Sequence, residues 1–201
     1  MSRLDENLGS VSFDNLIHGN EPAALTGHIK LASGQGKLLR GSVIAMTAPG
    51  GDGILLGSDK NVSAVLNVDT LVATFEKAGL NTAKLKVYAE EGDTPATVTT
   101  DYTVAYSNNT LTITLKASGA LKNETKIRIT CELTADGMAK AKYILAEDTE
   151  TGTSTAVVGL AYKTGCFNAN QLIVADGYTM TEANKEELRT LGIFLADAYE
   201  R

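Results

Sequence analysis

Three acids crowd one stretch of the chain. KYILAEDTETG, residues 142–152, runs an apolar segment into Glu147, Asp148 and Glu150. Carboxylates this close could serve as general acid and base, or could hold a cation. Acid–base work needs two carboxyl groups whose environments push their pKa values apart. Neighbours on a strand point to opposite faces, so Glu147 and Asp148 make a poor pair. A calcium loop places oxygen ligands at fixed positions around a central glycine and ends in glutamate. AEDTETGTSTAV lacks that order. The stretch reads as a solvated turn beyond a strand.

The remaining reactive residues are few. His18 and His28 have no cysteine or acid at ligand spacing, so they do not suggest zinc. Cys131 and Cys166 are the only thiols and lie in apolar surroundings. Buried free thiols are expected; sequence alone leaves a disulfide open. Nucleophile-elbow, zincin and P-loop patterns are absent. GQGKLLRG, residues 34–41, resembles a phosphate loop only loosely, and turns account for its glycines. No catalytic residue, metal ligand or cofactor is expected, and an enzyme is not the expected class.

Bulk properties narrow the partners. The 201 residues weigh 21.1 kDa, enough for one large domain or two small ones. A net charge of −6 with no basic block argues against nucleic acid. No run is long enough to cross a membrane, and the first twenty residues lack the apolar core of a signal peptide. A soluble, unsecreted chain with no membrane partner is expected.

Residues 1–22 are polar and weakly patterned, as expected of a flexible arm that orders on a partner. Short apolar runs around Gly34, Gly36 and Gly41 predict strands joined by tight turns. From 58 to 137 the texture changes. In TLTITLKA, Leu111, Ile113 and Leu115 share a face; in KIRITCEL, Ile127, Ile129, Cys131 and Leu133 do. Period two predicts half-buried sheets, and SAVLNVDTLVATF, LKVYA and YTVAY are further strand candidates. YSNNT reads as a hairpin turn, and AGLNTAKLK as a helical turn. A small β-sandwich is predicted here. KYILAED then returns to strand, and STAVVGLAYKTGCFNANQLIVA predicts two or three more. One helix is predicted over 182–190. Its capping box is Thr179 with Glu182, its core contacts are Leu188 and Leu191, and its stop is Gly192. GIFLADAYE adds a last strand. The fold class is mainly β. A β-rich domain with one C-terminal helix is built from residues 23–57 and 138–201, and 58–137 is inserted into it.

Four ordered blocks carry a resemblance. They are GHIKLASGQGKLLRGSVIAM, AKYILAEDTETG, AVVGLAYKTGCFNANQLIV and LRTLGIFL. The matching positions are Leu31, Gly34, Leu38 and Arg40 to Val43; residues 140–150; residues 160–172 with Gly165, Phe167 and Asn168; and Leu188, Arg189 and Gly192 to Leu195. Together they resemble the head decoration proteins of tailed bacteriophages, the lambda gpD-like family. The resemblance implies a non-enzymatic homotrimer, made in the host cytoplasm and carried on the outer surface of the virion. It implies the major capsid protein as partner. It implies binding to the expanded head at three-fold and quasi-three-fold sites, and stabilisation against internal DNA pressure. It implies that the arm adds a strand to the shell, with Leu16, Ile17, His18, Gly19 and Asn20 as capsid-binding candidates. Leu38, Arg40, Gly41, Phe167, Asn168 and Gly192 become the decoration-core positions. The insert, through VTTDYTVAYSNNTLTITLKASGAL, resembles bacterial Ig-like domains that project outward, with weak glycan or host-surface contact as a further expectation. The alternative reading is a phage tail or baseplate structural protein, or an Ig-like adhesin binding a cell-surface glycan.

Overall fold

The computed structural model describes residues 15–196. The strands before residue 58 are β1 (Ile17–Gly19), β2 (Leu25–Leu31), β3 (Lys37–Leu38), β4 (Val43–Met46) and β5 (Gly53–Leu55). The middle of the chain supplies β6 (Asn61–Asn67), β7 (Val72–Glu76), β8 (Lys86–Ala89), β9 (Tyr102–Ser107), β10 (Thr110–Leu115) and β11 (Lys126–Glu132). After it come β12 (Lys140–Leu145), β13 (Thr149–Glu150), β14 (Val157–Asn168), helix α1 (Glu182–Thr190) and β15 (Ile193–Ala196). The protein is mainly β with one helix near the end of the described residues.

The outer segments close a ring. Strand order runs β14–β12–β4–β5–β2, and β2 pairs back onto β14. Closure leaves these five strands few free edges. Inside the ring, Ile29, Leu31, Ile44, Leu145 and Ala161 form one core, and the short β3–β13 ladder brings Leu38 into it. On the outer face Val43, Ala45, Ala141, Ile144 and Tyr162 pack with Leu16, Phe167, Leu188 and Ile193 in a second core. Both faces of β4 are therefore buried, which is why it reads as an unbroken apolar run.

Strand β14 has twelve residues and pairs with four other strands. Its first part pairs with β2 and β12; its last part pairs antiparallel with β1 and parallel with β15. A register shift between Tyr162 and Thr164 marks a bulge that redirects it midway. The two or three strands expected here are thus one bent strand, followed by a 3-10 turn at Ala169–Gln171.

The middle segment builds a separate body. Sheets β7–β10–β9 and β6–β11–β8 share one core. Leu111, Ile113, Leu115, Ile127, Ile129, Cys131 and Leu133 are all buried in it, on the faces the alternation predicts. No residue of this core belongs to the two cores of the ring. The YSNNT turn has Asn108 at φ 49° and Asn109 at φ 62°, the two positive values of a two-residue hairpin loop. SAVLNVDTLVATF differs from expectation. It breaks at Asp69–Leu71, where Asp69 and Val72 exchange both backbone hydrogen bonds at 2.8 Å, and its halves enter different sheets.

The two connections between the bodies are tied together. The Ala139 N–H donates to Asp59 Oδ2 at 2.7 Å, and the Leu133 N–H to the Lys60 carbonyl at 2.8 Å. Gly57 lies under the Tyr178 ring, where an added Cβ would fall 2.2 Å from the ring.

Two details of the helix differ from the sequence reading. The capping box is Thr181 with Asn184, not Thr179 with Glu182. The Thr181 N–H donates to Asn184 Oδ1 at 3.0 Å, and the Tyr178 hydroxyl donates to the same oxygen at 2.7 Å. Leu188 is fully buried, but Leu191 is 41% exposed, because the chain turns at Gly192 (φ 84°) before Leu191 can face inward.

Within the expected arm of residues 1–22, the described residues include some built into the fold. Leu16 is buried, its carbonyl accepts from the Asn168 N–H at 2.9 Å, and β1 pairs with β14. The rest of the expected arm, residues 1–14, lies outside the described residues.

Candidate functional site

The acidic stretch of 147–150 follows β12, and one of its acids has a defined task. Asp148 Oδ1 accepts the Arg40 N–H at 2.9 Å, and Oδ2 pairs with Lys37 Nζ at 2.8 Å. The hydrogen bond from Lys37, followed by that from the Arg40 backbone, holds the Asp148 carboxyl below the usual aspartate range. Asp148 in turn raises Lys37, first by the same hydrogen bond. Both side chains are about half exposed, so such a pair contributes little to stability. Its effect is local: it fixes the backbone at Arg40 against the turn after β12. Glu147 and Glu150 are exposed.

Arg40 is the hub of the positions that the resemblance nominates. Its Nε donates to the Ala146 carbonyl at 3.0 Å, and Nη2 to the Tyr162 hydroxyl at 3.1 Å. The guanidinium carbon stands 6.0 Å from the Tyr162 ring centre, and that ring meets Phe167 at 5.0 Å with a 53° tilt. Phe167 is fully buried beneath Gly165, where a Cβ would come within 2.7 Å of its ring. Asn168 is buried, and its side chain accepts from the Asn170 N–H at 3.1 Å, starting the 3-10 turn.

Gly41 completes the arrangement. Its φ is 90°, and a Cβ would lie 3.0 Å from the Gln171 carbonyl and 3.4 Å from Leu16. A side chain here would displace both the 3-10 turn and buried Leu16. The Gly192 carbonyl accepts from the Gly165 N–H at 3.0 Å, so the turn after α1 is bonded to β14. Arg40, Gly41, Phe167 and Asn168 therefore gather in one region with Leu16, whereas Leu38 sits in the inner core. Sequence reasoning missed Tyr162, Lys37 and Asp148's capping role, because each acts across more than a hundred residues.

The capsid-binding candidates divide. Leu16 is buried and is held by the chain's own core. Ile17, His18 and Asn20 are exposed, and Gly19 is half-buried against Cys166. His28 is exposed on β2 opposite Leu160. Both cysteines are free. Cys131 is buried, and its thiol donates to the Asn81 carbonyl at 3.2 Å, while burial pushes its pKa up. Cys166 is only half-buried, which differs from the expectation of two buried thiols. Among the described residues, no three of His, Cys, Asp and Glu gather where they could hold a metal ion. Comparison with protein-family models, curated protein sequences and solved structures found no match.

Proposed function

We propose that this chain is a non-enzymatic head decoration protein. It binds the outer surface of an expanded phage head, as a trimer at three-fold and quasi-three-fold sites, and stabilises that shell against internal DNA pressure. The major capsid protein is its partner, and residues 58–137 form an outward-facing Ig-like module. One observation carries the reading. The four resembling blocks, split by an 80-residue segment, meet as contacting parts of one body: the ring and the helix and strand bonded to it. Arg40 of the first block bonds to Ala146 of the second and Tyr162 of the third; Gly165 of the third bonds to Gly192 of the fourth.

The thermodynamics suit a small clamp. A ligand that binds only the expanded shell stabilises it by linkage, and repetition over many sites multiplies a modest contact. The test is to incubate the purified chain with undecorated expanded heads of the phage that encodes it, and image them by cryo-electron microscopy. Density at three-fold and quasi-three-fold positions is expected on expanded heads and not on unexpanded ones. Bare three-fold positions at saturating protein would refute the reading.

A further inference from the structure

The outward face of sheet β6–β11–β8 is a regular grid of side chains. Cross-strand pairing sets its rows: Ser63, Thr130 and Lys86 in one, and Val65, Arg128 and Tyr88 in the next. Asn61 and Glu132 form the row on one side of these, and Asn67 with Lys126 the row on the other. The two ends differ in charge. Lys126 pairs with Glu90 at 3.3 Å. Arg128 pairs with Asp93 at 3.6 Å and also covers the Tyr88 ring at 4.4 Å. At the opposite end, Lys84 and Lys86 are exposed and make no ion pair among the described residues. They line a groove of about 250 Å³ with Asn61, Ser63, Thr130 and Glu132.

From this charge pattern we infer that the groove binds an acidic polysaccharide: a hydroxyl-rich polymer with well-separated negative charges. Lys84 and Lys86 meet the anionic group with charge-assisted hydrogen bonds. Asn61, Ser63 and Thr130 supply neutral donors and acceptors for hydroxyls, and Glu132 accepts from hydroxyls only. Glu132 also sets the selectivity. A densely charged polyanion, with a phosphate at every unit, would have to place charge against that carboxylate. A neutral polymer would leave both ammonium groups unused. The Tyr88 ring and its Arg128 cover continue the surface one row further, as a flat support along the polymer. This site is independent of capsid binding, so it is tested on the free chain without heads.

The test is affinity electrophoresis of the full chain through gels containing dextran, polyphosphate or hyaluronate, which carries one carboxylate per disaccharide. Retardation is expected in hyaluronate alone, and it should weaken as salt is raised. The double variant K84A/K86A should bind at least about tenfold more weakly, with its melting temperature unchanged because both lysines are exposed. K126A, which removes a lysine already paired with Glu90, should stay within about twofold. The inference is overturned by no retardation in hyaluronate, by equal retardation in dextran or polyphosphate, or by a double variant that binds as the parent does.

Discussion

Replacing Phe167 by alanine should lower one melting transition and leave another in place. The phenyl ring is fully buried and meets Tyr162 in a tilted contact at 5.0 Å within the outer core. Truncating a buried phenylalanine costs about 3–5 kcal/mol, including the cavity left behind. The ring body is small, so each kcal/mol moves its midpoint by roughly 4–8 °C, giving a fall of about 12–40 °C. The core of 58–137 shares no residue with that of Phe167. Differential scanning calorimetry should therefore show two transitions, of which only one moves. Ile113→Ala, in the other core, should move the other, with a cost of about 2–5 kcal/mol. If both transitions fall together in each variant, the bodies do not unfold separately and the argument from separate cores fails.

Three further outcomes follow from particular contacts. Gly41→Ala should cost about 1–3 kcal/mol, because it combines a φ of 90° with a Cβ 3.0 Å from the Gln171 carbonyl; a shift in urea midpoint measures it, and an unchanged midpoint contradicts the geometry. Asp148 is depressed by Lys37, so its stabilising contribution is present above the unfolded aspartate pKa and is lost as pH falls through its lower folded value. Carbon-detected NMR should place its midpoint below that of ordinary aspartates, and Lys37→Ala should move it upward; a midpoint indifferent to Lys37 would show that the pair does not form. With an aromatic disulfide reagent, half-buried Cys166 should react in the native state and buried Cys131 only on unfolding; the reverse order would contradict the burial of Cys131.

Legibility in the sequence tracked how many faces of an element are buried. TLTITLKA and KIRITCEL each cover one side of a core, so their alternation showed in sequence and their inward residues could be named. SVIAM and KYILA are buried on both faces, and their apolar runs carried no period from which pairing could be read. Ring closure through β2 and β14 pairs residues more than a hundred positions apart, and the bulge near Lys163 that redirects β14 carries no composition signal. At the helix start, two threonines three residues before a suitable partner competed. Tyr178, whose hydroxyl reaches Asn184, favours Thr181, and that is a tertiary contact. Arg40 and Gly41 were nominated through resemblance, yet their partners Tyr162 and Leu16 lie far away in sequence. Lys84 and Lys86 were within reach, since a spacing of two beside LKVYA places them together.

The hydrogen bond from Ala139 to Asp59 has a practical meaning for anyone re-engineering the chain. It holds the Ala139 backbone 2.7 Å from the Asp59 side chain, across the 79 residues that lie between them. The ring needs only a short bridge between Asp59 and Ala139, and closing a short flexible loop costs little entropy. Any foreign module whose own termini lie side by side could be spliced there. The ring would then act as a carrier for cargo that it did not evolve with.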